Sequence, residues 1–349
     1  MATVDVTVMG AGVFGLSCAY VCARRGARVR VVEWSHPGAG ASGTPVGALS
    51  PHVPERWNDK KAFQFESLVM GEAFWRGVEE VSDLSTGYAR VGRYQPIPDA
   101  AALARAHERA EEAQTLWQGR AVWQVIRVDQ AGRFAPRSET GFLIHDTLSA
   151  RIAPRRACAA LAAATRAMGG EVACEAEGPI EGQVIWATGY PGLAALSADL
   201  GRQVGSGVKG QAAILEYDAG GAPQIFAGNI LIVPHDDGTV AVGSTSEREF
   251  DNPWSTDTQL DDVIARARAA CPALADAPVI ERWAGVRPRA KTIAPMLGPW
   301  PGQPGHFIAN GGFKIGIGLA PKVGQVMADL VLERDGRGIP EGFGVEANL

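Results

Sequence analysis

The chain is poor in cysteine and carries no marked excess of one charge. Five cysteines are spread through 349 residues. They are odd in number, widely separated and mostly flanked by alanine or valine. This pattern predicts small buried thiols in a reducing compartment rather than a disulfide framework or a metal site. The cytoplasm is the default expectation for such a chain.

Other absences exclude further classes of protein. Lysine and arginine total 33 against 38 aspartates and glutamates, without the basic stripe that a nucleic-acid-binding protein uses. The first apolar stretch lacks a preceding basic segment and is too short to span a bilayer. Repeats and low-complexity tracts are also missing. We therefore expect a globular protein of two domains, with no nucleic-acid partner and no membrane span.

A glycine-rich turn lies between two predicted strands near the start of the chain, in the sequence VTVMGAGVFGLSCAYVCARRGARVRVVE. Gly10 permits the tight turn, Gly12 lets the backbone approach a pyrophosphate, and Gly15 allows close packing of the helix on the sheet. The helix N-terminus attracts phosphate. Glu33 can accept both ribose hydroxyls of an adenosine and repels a 2′-phosphate, which argues against NADP. The expected dinucleotide contacts are Gly10, Ala11, Gly12, Val13, Phe14, Gly15, Glu33 and Trp34.

Three later segments, and the early position of the turn, favour FAD over NAD. Residues 36–52 are too rich in small residues for a helix or strand, and Ser42 and Thr44 can contact a diphosphate chain; an ordinary flexible loop is the alternative. Residues 184–189 form a predicted buried strand ending in Thr-Gly. Residues 310–318 lead into a helix whose N-terminus suits a reduced flavin. The expected contacts are Ala41, Ser42, Gly43, Gly47, Ala48, Leu49, Ala187, Thr188, Gly189, Gly311, Gly312, Phe313, Lys314, Ile315 and Gly316.

The pattern of apolar and turn-forming residues predicts the remaining elements. Helices are expected at 59–81, at 99–117, from 154 to the Gly-Gly pair at 169–170, and at 257–270. Strands are expected at 211–217, 224–233, 239–245 and 279–286.

These motifs resemble those of the D-amino-acid oxidase superfamily, and within it the glycine oxidase and sarcosine oxidase branch. The resemblance covers nearly the whole chain and rests on the N-terminal turn, GASGTPVGAL, VIWATG, VKGQ, VGSTSE, WAGVRP and GGFKIGIGLAP. It implies an α/β fold, in which a Rossmann-type FAD-binding domain carries an inserted antiparallel-sheet (α+β) substrate domain. The FAD-binding domain would contain residues 1–80, 145–200 and 290–349, and the substrate domain residues 81–144 and 201–289.

The resemblance also implies the reaction, which is FAD-dependent oxidation of the C–N bond of a small amino acid or N-alkyl amino acid to an imine. The flavin carries the chemistry, so no catalytic side chain and no metal are expected. The protein has to orient the substrate, and a bidentate arginine suits its carboxylate. Arg287 in GVRP is the candidate, close to both substrate and cofactor; a structural arginine in an interdomain salt bridge is the alternative. Arg289 is expected to point toward solvent.

Two more substrate contacts are implied. Lys314 matches the lysine of the GFK motif of sarcosine oxidases, which helps to hold the carboxylate; it could instead stabilise the anionic edge of the flavin or be solvated. His52 could face the flavin or the pocket mouth, and a structural histidine is the alternative.

The sequence departs from its relatives at two substrate-side positions. Leu231 stands where glycine oxidases carry tyrosine, and Ser246 where they carry methionine. Such changes redirect specificity by about 1–3 kcal/mol. No cysteine closely precedes GGFK, so FAD is expected to bind non-covalently. O₂ is the expected electron acceptor. The alternatives are a D-amino-acid dehydrogenase that reduces a quinone or protein, and a flavin subunit acting on an amine within a macromolecule. The chain could assemble as a homo-oligomer.

Overall fold

The computed structural model describes residues 4–175 and 180–349. The helices in these ranges are α1 Val13–Arg24, α2 Asp59–Ser82, α3 Ala100–Leu116, α4 Pro154–Ala167, α5 Gly189–Asp199, α6 Thr258–Ala270 and α7 Gly316–Glu333. The strands are β1 Val6–Met9, β2 Val29–Glu33, β3 Ala48–Leu49, β4 Arg93–Pro96, β5 Trp123–Arg127, β6 Phe142–Asp146, β7 Ala150–Arg151, β8 Glu171–Cys174, β9 Gln183–Trp186, β10 Gly205–Glu216, β11 Gln224–Ala227, β12 Ile230–Pro234, β13 Thr239–Gly243, β14 Val279–Ala290, β15 Met296–Pro299 and β16 His306–Asn310.

A six-stranded sheet in the order β15-β16-β9-β1-β2-β8 forms the first half of the molecule. β1 lies between β2 and β9 and runs parallel to both. The apolar faces of α1, α2, α4 and α7 share one core with this sheet. The carboxyl ends of β1, β2 and β9 therefore meet at one edge, where a parallel α/β sheet binds its ligands.

An eight-stranded sheet in the order β14-β10-β13-β12-β11-β4-β6-β5 forms the second half. Its strands are antiparallel except for the pair β4–β11. Alternate residues of β10, β12 and β13 pack under α6 in a separate core. The intervening residues face the other way, toward the segment around Val46: a Cβ added to Gly243 would lie 2.9 Å from Val46 Cγ2. This second face is the one that carries Arg287 and Leu231.

The structure confirms the predicted fold class and most of the predicted elements. Asp99 caps the N-terminus of α3, since its Oδ1 accepts a hydrogen bond from the Ala102 amide at 2.6 Å. The predicted single strand at 224–233 is wrong. Gly228 and Asn229, with φ of 53° and 64°, form a two-residue turn that divides it into β11 and β12. Gly-Asn between apolar runs is a hairpin signal.

Three predicted boundaries also change. β10 and β14 are longer than expected because they pair from Gly205 opposite Ala290 onward. The segment 36–52 is not wholly irregular, since β3 pairs with β7.

The five cysteines are free. In the described ranges no helix is both long and apolar enough to cross a membrane, and no group of acidic, histidine or cysteine side chains there is arranged to hold a metal ion.

Candidate active site

The turn after β1 is closed by contacts that admit only glycine. A Cβ on Gly10, whose φ is 101°, would lie 2.7 Å from the carbonyl oxygen of Ala187, and a Cβ on Gly15 would lie 2.0 Å from that of Gly10. The turn therefore packs directly against the end of β9. This contact places the predicted Ala187–Thr188–Gly189 segment beside the fingerprint.

The N-terminus of α1 is open to an anion. Its first turn contains no acidic residue. The Val13 amide donates to Ser42 Oγ at 3.0 Å, whereas the amides of Phe14 and Gly15 have no acceptor among the residues that the structure describes. Free amides at the positive end of a helix bind phosphate.

Glu33 is held at the tip of β2. Its side chain is buried; Oε2 accepts from the Ala11 amide at 2.7 Å and Oε1 from the Ser35 amide at 3.1 Å. Each carboxylate oxygen keeps a further lone pair, so the group can still accept ribose hydroxyls. The neighbouring side chain of Trp34 is 81% exposed and points to solvent.

The segment from Ala41 to Leu49 lies between the two sheets. It begins with a 3₁₀ turn at Ala41–Gly43 and ends in β3. A Cβ on Gly47 would lie 1.7 Å from the carbonyl oxygen of Ile152. The Ile152 amide in turn donates a hydrogen bond to the Gly47 carbonyl at 3.0 Å. Gly47 thus anchors the segment against the start of α4, and Ala48 and Leu49 continue beside it.

Asn310 links the glycine-rich turn at residues 311–316 to the Thr188–Gly189 segment after β9. Its Nδ2 donates to the Gly189 carbonyl at 2.8 Å, and its Oδ1 accepts from the Gly311 amide at 2.8 Å. A Cβ on Gly312 would lie 2.9 Å from Phe14 Cζ. The structure therefore brings together the fingerprint, the end of β9 and the turn through Phe313, Lys314, Ile315 and Gly316 that begins α7. No acidic residue occupies the first turn of α7.

Arg287 lies across β10 on the open face of the eight-stranded sheet. Its Nη1 donates to the carbonyls of Lys209 at 3.4 Å and Thr245 at 3.3 Å, and its Nη2 donates to Ser244 Oγ. The guanidinium covers Gly210, where an added Cβ would lie 1.9 Å from Nη2. Glycine at that position is therefore required for this placement.

One edge of the Arg287 guanidinium is unused. The Nε hydrogen and the second Nη2 hydrogen have no acceptor in residues 4–175 and 180–349. These two hydrogens form the parallel fork that binds a carboxylate. Burial lowers the pKa of Arg287 to about 10, and the carboxylate of Glu247 partly opposes this. The group is therefore still protonated at neutral pH.

The salt bridge considered as an alternative for Arg287 is not formed among the described residues. The nearby carboxylate of Glu247 instead pairs with Lys209 at 3.4 Å. It also accepts from Gln211 Nε2 at 3.1 Å and from Thr245 Oγ1. The buried acid is thus fully engaged, and Arg287 keeps an unpaired positive charge.

Lys314 and Arg289 both lie against the ring of Phe313. Lys314 Nζ is 5.7 Å and Arg289 Cζ 5.9 Å from the ring centroid. The expectation that Arg289 points to solvent is wrong, because residues two apart on a strand share a face and Arg289 is half-buried on the face of Arg287. Lys314 is exposed; partial removal from water, and then the charge of Arg287, lower its pKa.

His52 is fixed by Gln64. Both the His52 amide, at 2.8 Å, and its ring Nδ1 donate to Gln64 Oε1, which defines the Nδ1–H tautomer. Burial lowers the pKa of His52, so the ring is neutral at pH 7. This bonding favours the structural interpretation of His52.

The two divergent positions differ in placement. Leu231 is half-buried and pairs with Gly243 on the open face of the sheet. Ser246 is exposed, whereas Ser244, two residues earlier, contacts Arg287. Sequence reasoning missed Ser244 and Gly210. Their signals were present in the VGSTSE and VKGQ motifs, but the contact with Arg287 depends on the β10–β14 register.

Comparison with known proteins identifies the family. The protein-family model described as FAD dependent oxidoreductase matches residues 5–330 of this chain. Glycine oxidase of Pseudomonas aeruginosa is 28% identical over 361 residues, which cover 95% of each chain. Among solved structures, glycine oxidase from Geobacillus kaustophilus has a TM-score of 0.84 at 22% identity, covering 99% of both chains. Iminodiacetate oxidase from Chelativorans sp. BNC1 has a TM-score of 0.85 at 23% identity, covering 97% of this chain and 98% of that one.

The two structural likenesses show a shared fold, and the family match extends over most of the sequence. The resemblance to the glycine oxidase branch is confirmed at this level. The chain belongs to the family of FAD-dependent oxidoreductases that includes the glycine oxidases.

Proposed function

We propose that the protein oxidises the C–N bond of a small amino acid or N-alkyl amino acid to an imine, which water then converts to a ketoacid or aldehyde. The observation that carries this proposal is the free edge of the Arg287 guanidinium, which is half-buried, charged and shaped for a carboxylate. A bidentate grip on the carboxylate would orient the Cα–N bond. We further propose O₂ as the electron acceptor and a cytoplasmic location.

The residues around the glycine-rich turns fit FAD. Free amides at the start of α1 suit a pyrophosphate, and Glu33 retains acceptor capacity for a ribose. The start of α7, with Gly311 and Gly312 before it, offers a positive helix end to the isoalloxazine. The bound flavin supplies the two-electron acceptor. The proposed domain division keeps these three elements in the FAD-binding domain and Arg287 in the substrate domain.

The remaining residues would shape the substrate side. Leu231 and the small residues on the open face of the sheet give the pocket an apolar wall. Lys314 lies beside Phe313. Since Leu231 replaces a bulkier polar side chain of the relatives, we expect substrates with an apolar or extended group at this wall.

The direct test is a screen of D-, L- and N-methyl amino acids for imine formation. Each substrate is assayed under air, with detection of peroxide, and without O₂ in the presence of an artificial electron acceptor. Peroxide formation at the rate of substrate oxidation supports the oxidase. Turnover with the artificial acceptor alone would identify a dehydrogenase instead, and absence of turnover with any amino acid contradicts the proposal.

The purified protein is expected to be yellow and to release its flavin without hydrolysis. No cysteine closely precedes the glycine-rich turn before α7, so no thioether to the flavin can form there. After acid precipitation, FAD should appear in the supernatant in a stoichiometric amount by absorbance and chromatography. Yellow colour retained in the pellet would contradict non-covalent binding of FAD. Colourless protein that binds NAD would contradict the assignment of FAD as the cofactor.

Replacement of Glu33 by alanine is expected to weaken FAD binding by at least about tenfold, because buried charge-assisted hydrogen bonds each contribute about 1.5–3 kcal/mol. Titration of apoprotein with FAD, followed by flavin fluorescence, measures the change. Glu171→Ala, which removes an exposed acid from the neighbouring β8, is the matched control and should bind FAD normally. Equal affinity of Glu33→Ala and wild type would exclude the ribose contact.

A further inference from the structure

The substrate side of the site contains more positive charge than one carboxylate requires. Arg287 and Arg289 belong to the end of β14, which meets the turn before α7 that carries Lys314. The Phe313 amide donates to the Pro288 carbonyl at 3.0 Å, and Arg289 forms a β-bridge with Gly312. Backbone contacts therefore hold the three cations together.

These cations lack acidic partners. Within the described parts of the chain, no carboxylate lies within salt-bridge distance of Arg287, Arg289 or Lys314. The acid nearest to Arg287 is Glu247, whose charge is balanced by Lys209. Unbalanced charge of one sign raises the local concentration of ligands of the opposite sign. The cluster thus carries three positive charges for ligands to neutralise.

The reduced flavin and one substrate carboxylate do not neutralise all three of these positive charges. The N-terminus of α7, free of acidic residues, already offers a partial positive charge to the flavin. One carboxylate occupies the free edge of Arg287. Arg289 and Lys314 lie over the Phe313 ring, and neither forms an ion pair with a described residue, so both are available to a further anionic group.

We propose that the preferred substrate is an amino dicarboxylate, whose second carboxylate binds to Arg289 and Lys314 while its α-carboxylate binds to Arg287. This inference rests on the proposed amino-acid oxidation. Arg287 and Arg289 are two residues apart on β14, so their Cα atoms are separated by roughly 7 Å. Side chains on the same face at this spacing can hold the two ends of a four- or five-carbon diacid.

The test uses pairs of substrates that differ only in charge. The kcat/KM values of the holoenzyme are compared for aspartate and asparagine, and for glutamate and glutamine, in both enantiomers. We expect the diacid to be preferred by at least about tenfold, a difference of about 1.4 kcal/mol. A larger factor is not required, because Arg289 and Lys314 are partly solvated and exposed ion pairs are weak.

Variants then assign the preference to residues. Lys314→Met and Arg289→Met should each reduce the preference for the diacid toward unity, with smaller losses for glycine and N-methylglycine. Lys314→Arg should restore it. Arg248→Met removes an exposed cation from the loop after Glu247 and should leave the preference unchanged. FAD content is measured in every variant.

Binding without turnover gives a second measurement. Succinate and malonate should perturb the flavin absorption spectrum with a Kd at least about tenfold lower than those of propionate and acetate, and this difference should disappear in Lys314→Met. Oxidation of amino acids with equal or greater efficiency for the amides would overturn the dicarboxylate assignment alone. A preference for diacids that survives both methionine variants would also overturn it. Failure to oxidise any amino acid would instead contradict the proposed function.

Discussion

Replacement of Arg287 by alanine is expected to lower kcat/KM for amino acids by on the order of 10³-fold. The variant removes a half-buried fork of hydrogen-bond donors and leaves the substrate carboxylate without its partner. Arg287→Lys keeps the charge but loses the planar geometry, so its efficiency should lie between those of alanine and wild type. Steady-state kinetics on the substrate found in the screen, with FAD content measured in parallel, test this order.

Kinetics with amines that lack a carboxylate show whether Arg287 binds the substrate or only supports the structure. Against such amines, Arg287→Ala should lose much less activity than against amino acids, because the missing contact is one that they never make. FAD content should not change, since the guanidinium contacts Lys209, Ser244 and Thr245. An equal loss on amines and amino acids would show that Arg287 supports the fold or the flavin instead.

Replacement of Gly210 by alanine is expected to reproduce most of the Arg287 defect without touching the arginine itself. The new methyl group would lie 1.9 Å from Nη2 and 2.3 Å from Cζ of Arg287, so the guanidinium must leave its place over β10. We expect kcat/KM for amino acids to fall by about 10²-fold or more, since small displacements of a positioning group have effects of this size.

Gly207→Ala is the matched control for this prediction. It adds the same methyl group to the same strand, where it crowds the side chains of Val286 and Tyr190 at 2.6 and 3.0 Å rather than Arg287. Thermal unfolding and FAD content measure general damage in both variants. Similar kinetic losses in both would mean that strand distortion, rather than displacement of Arg287, is the cause.

The elements of the proposed nucleotide-binding half could be predicted from the sequence because their signals are local. The turn at Gly10, Gly12 and Gly15, the helix after it and the acid at Glu33 are contiguous. Gly10 and Gly15 are required by contacts within the turn itself and with the end of β9. The substrate half was predicted less completely. Its geometry depends on which residues of β10 and β13 lie opposite β14, and strand register is set by long-range pairing.

Two particular residues show the difference. Ser246 was selected from the position of a methionine in relatives, yet Ser244 is the serine that contacts Arg287. Arg289 was expected to face solvent, although strand periodicity alone puts it on the side of Arg287. Long-range pairing was required for the first assignment, whereas the second could have been made from the sequence.

The bond between the Phe313 amide and the Pro288 carbonyl, at 3.0 Å, joins the strand that carries Arg287 to the turn that begins α7. The proposed carboxylate anchor and the proposed flavin-binding turn therefore belong to one hydrogen-bonded unit. This bond restricts changes in the distance between them. We therefore expect the enzyme to oxidise molecules whose reactive carbon is directly attached to the carboxylate. In β-amino acids the corresponding carbon lies one bond further from the carboxylate and would not reach the reacting position.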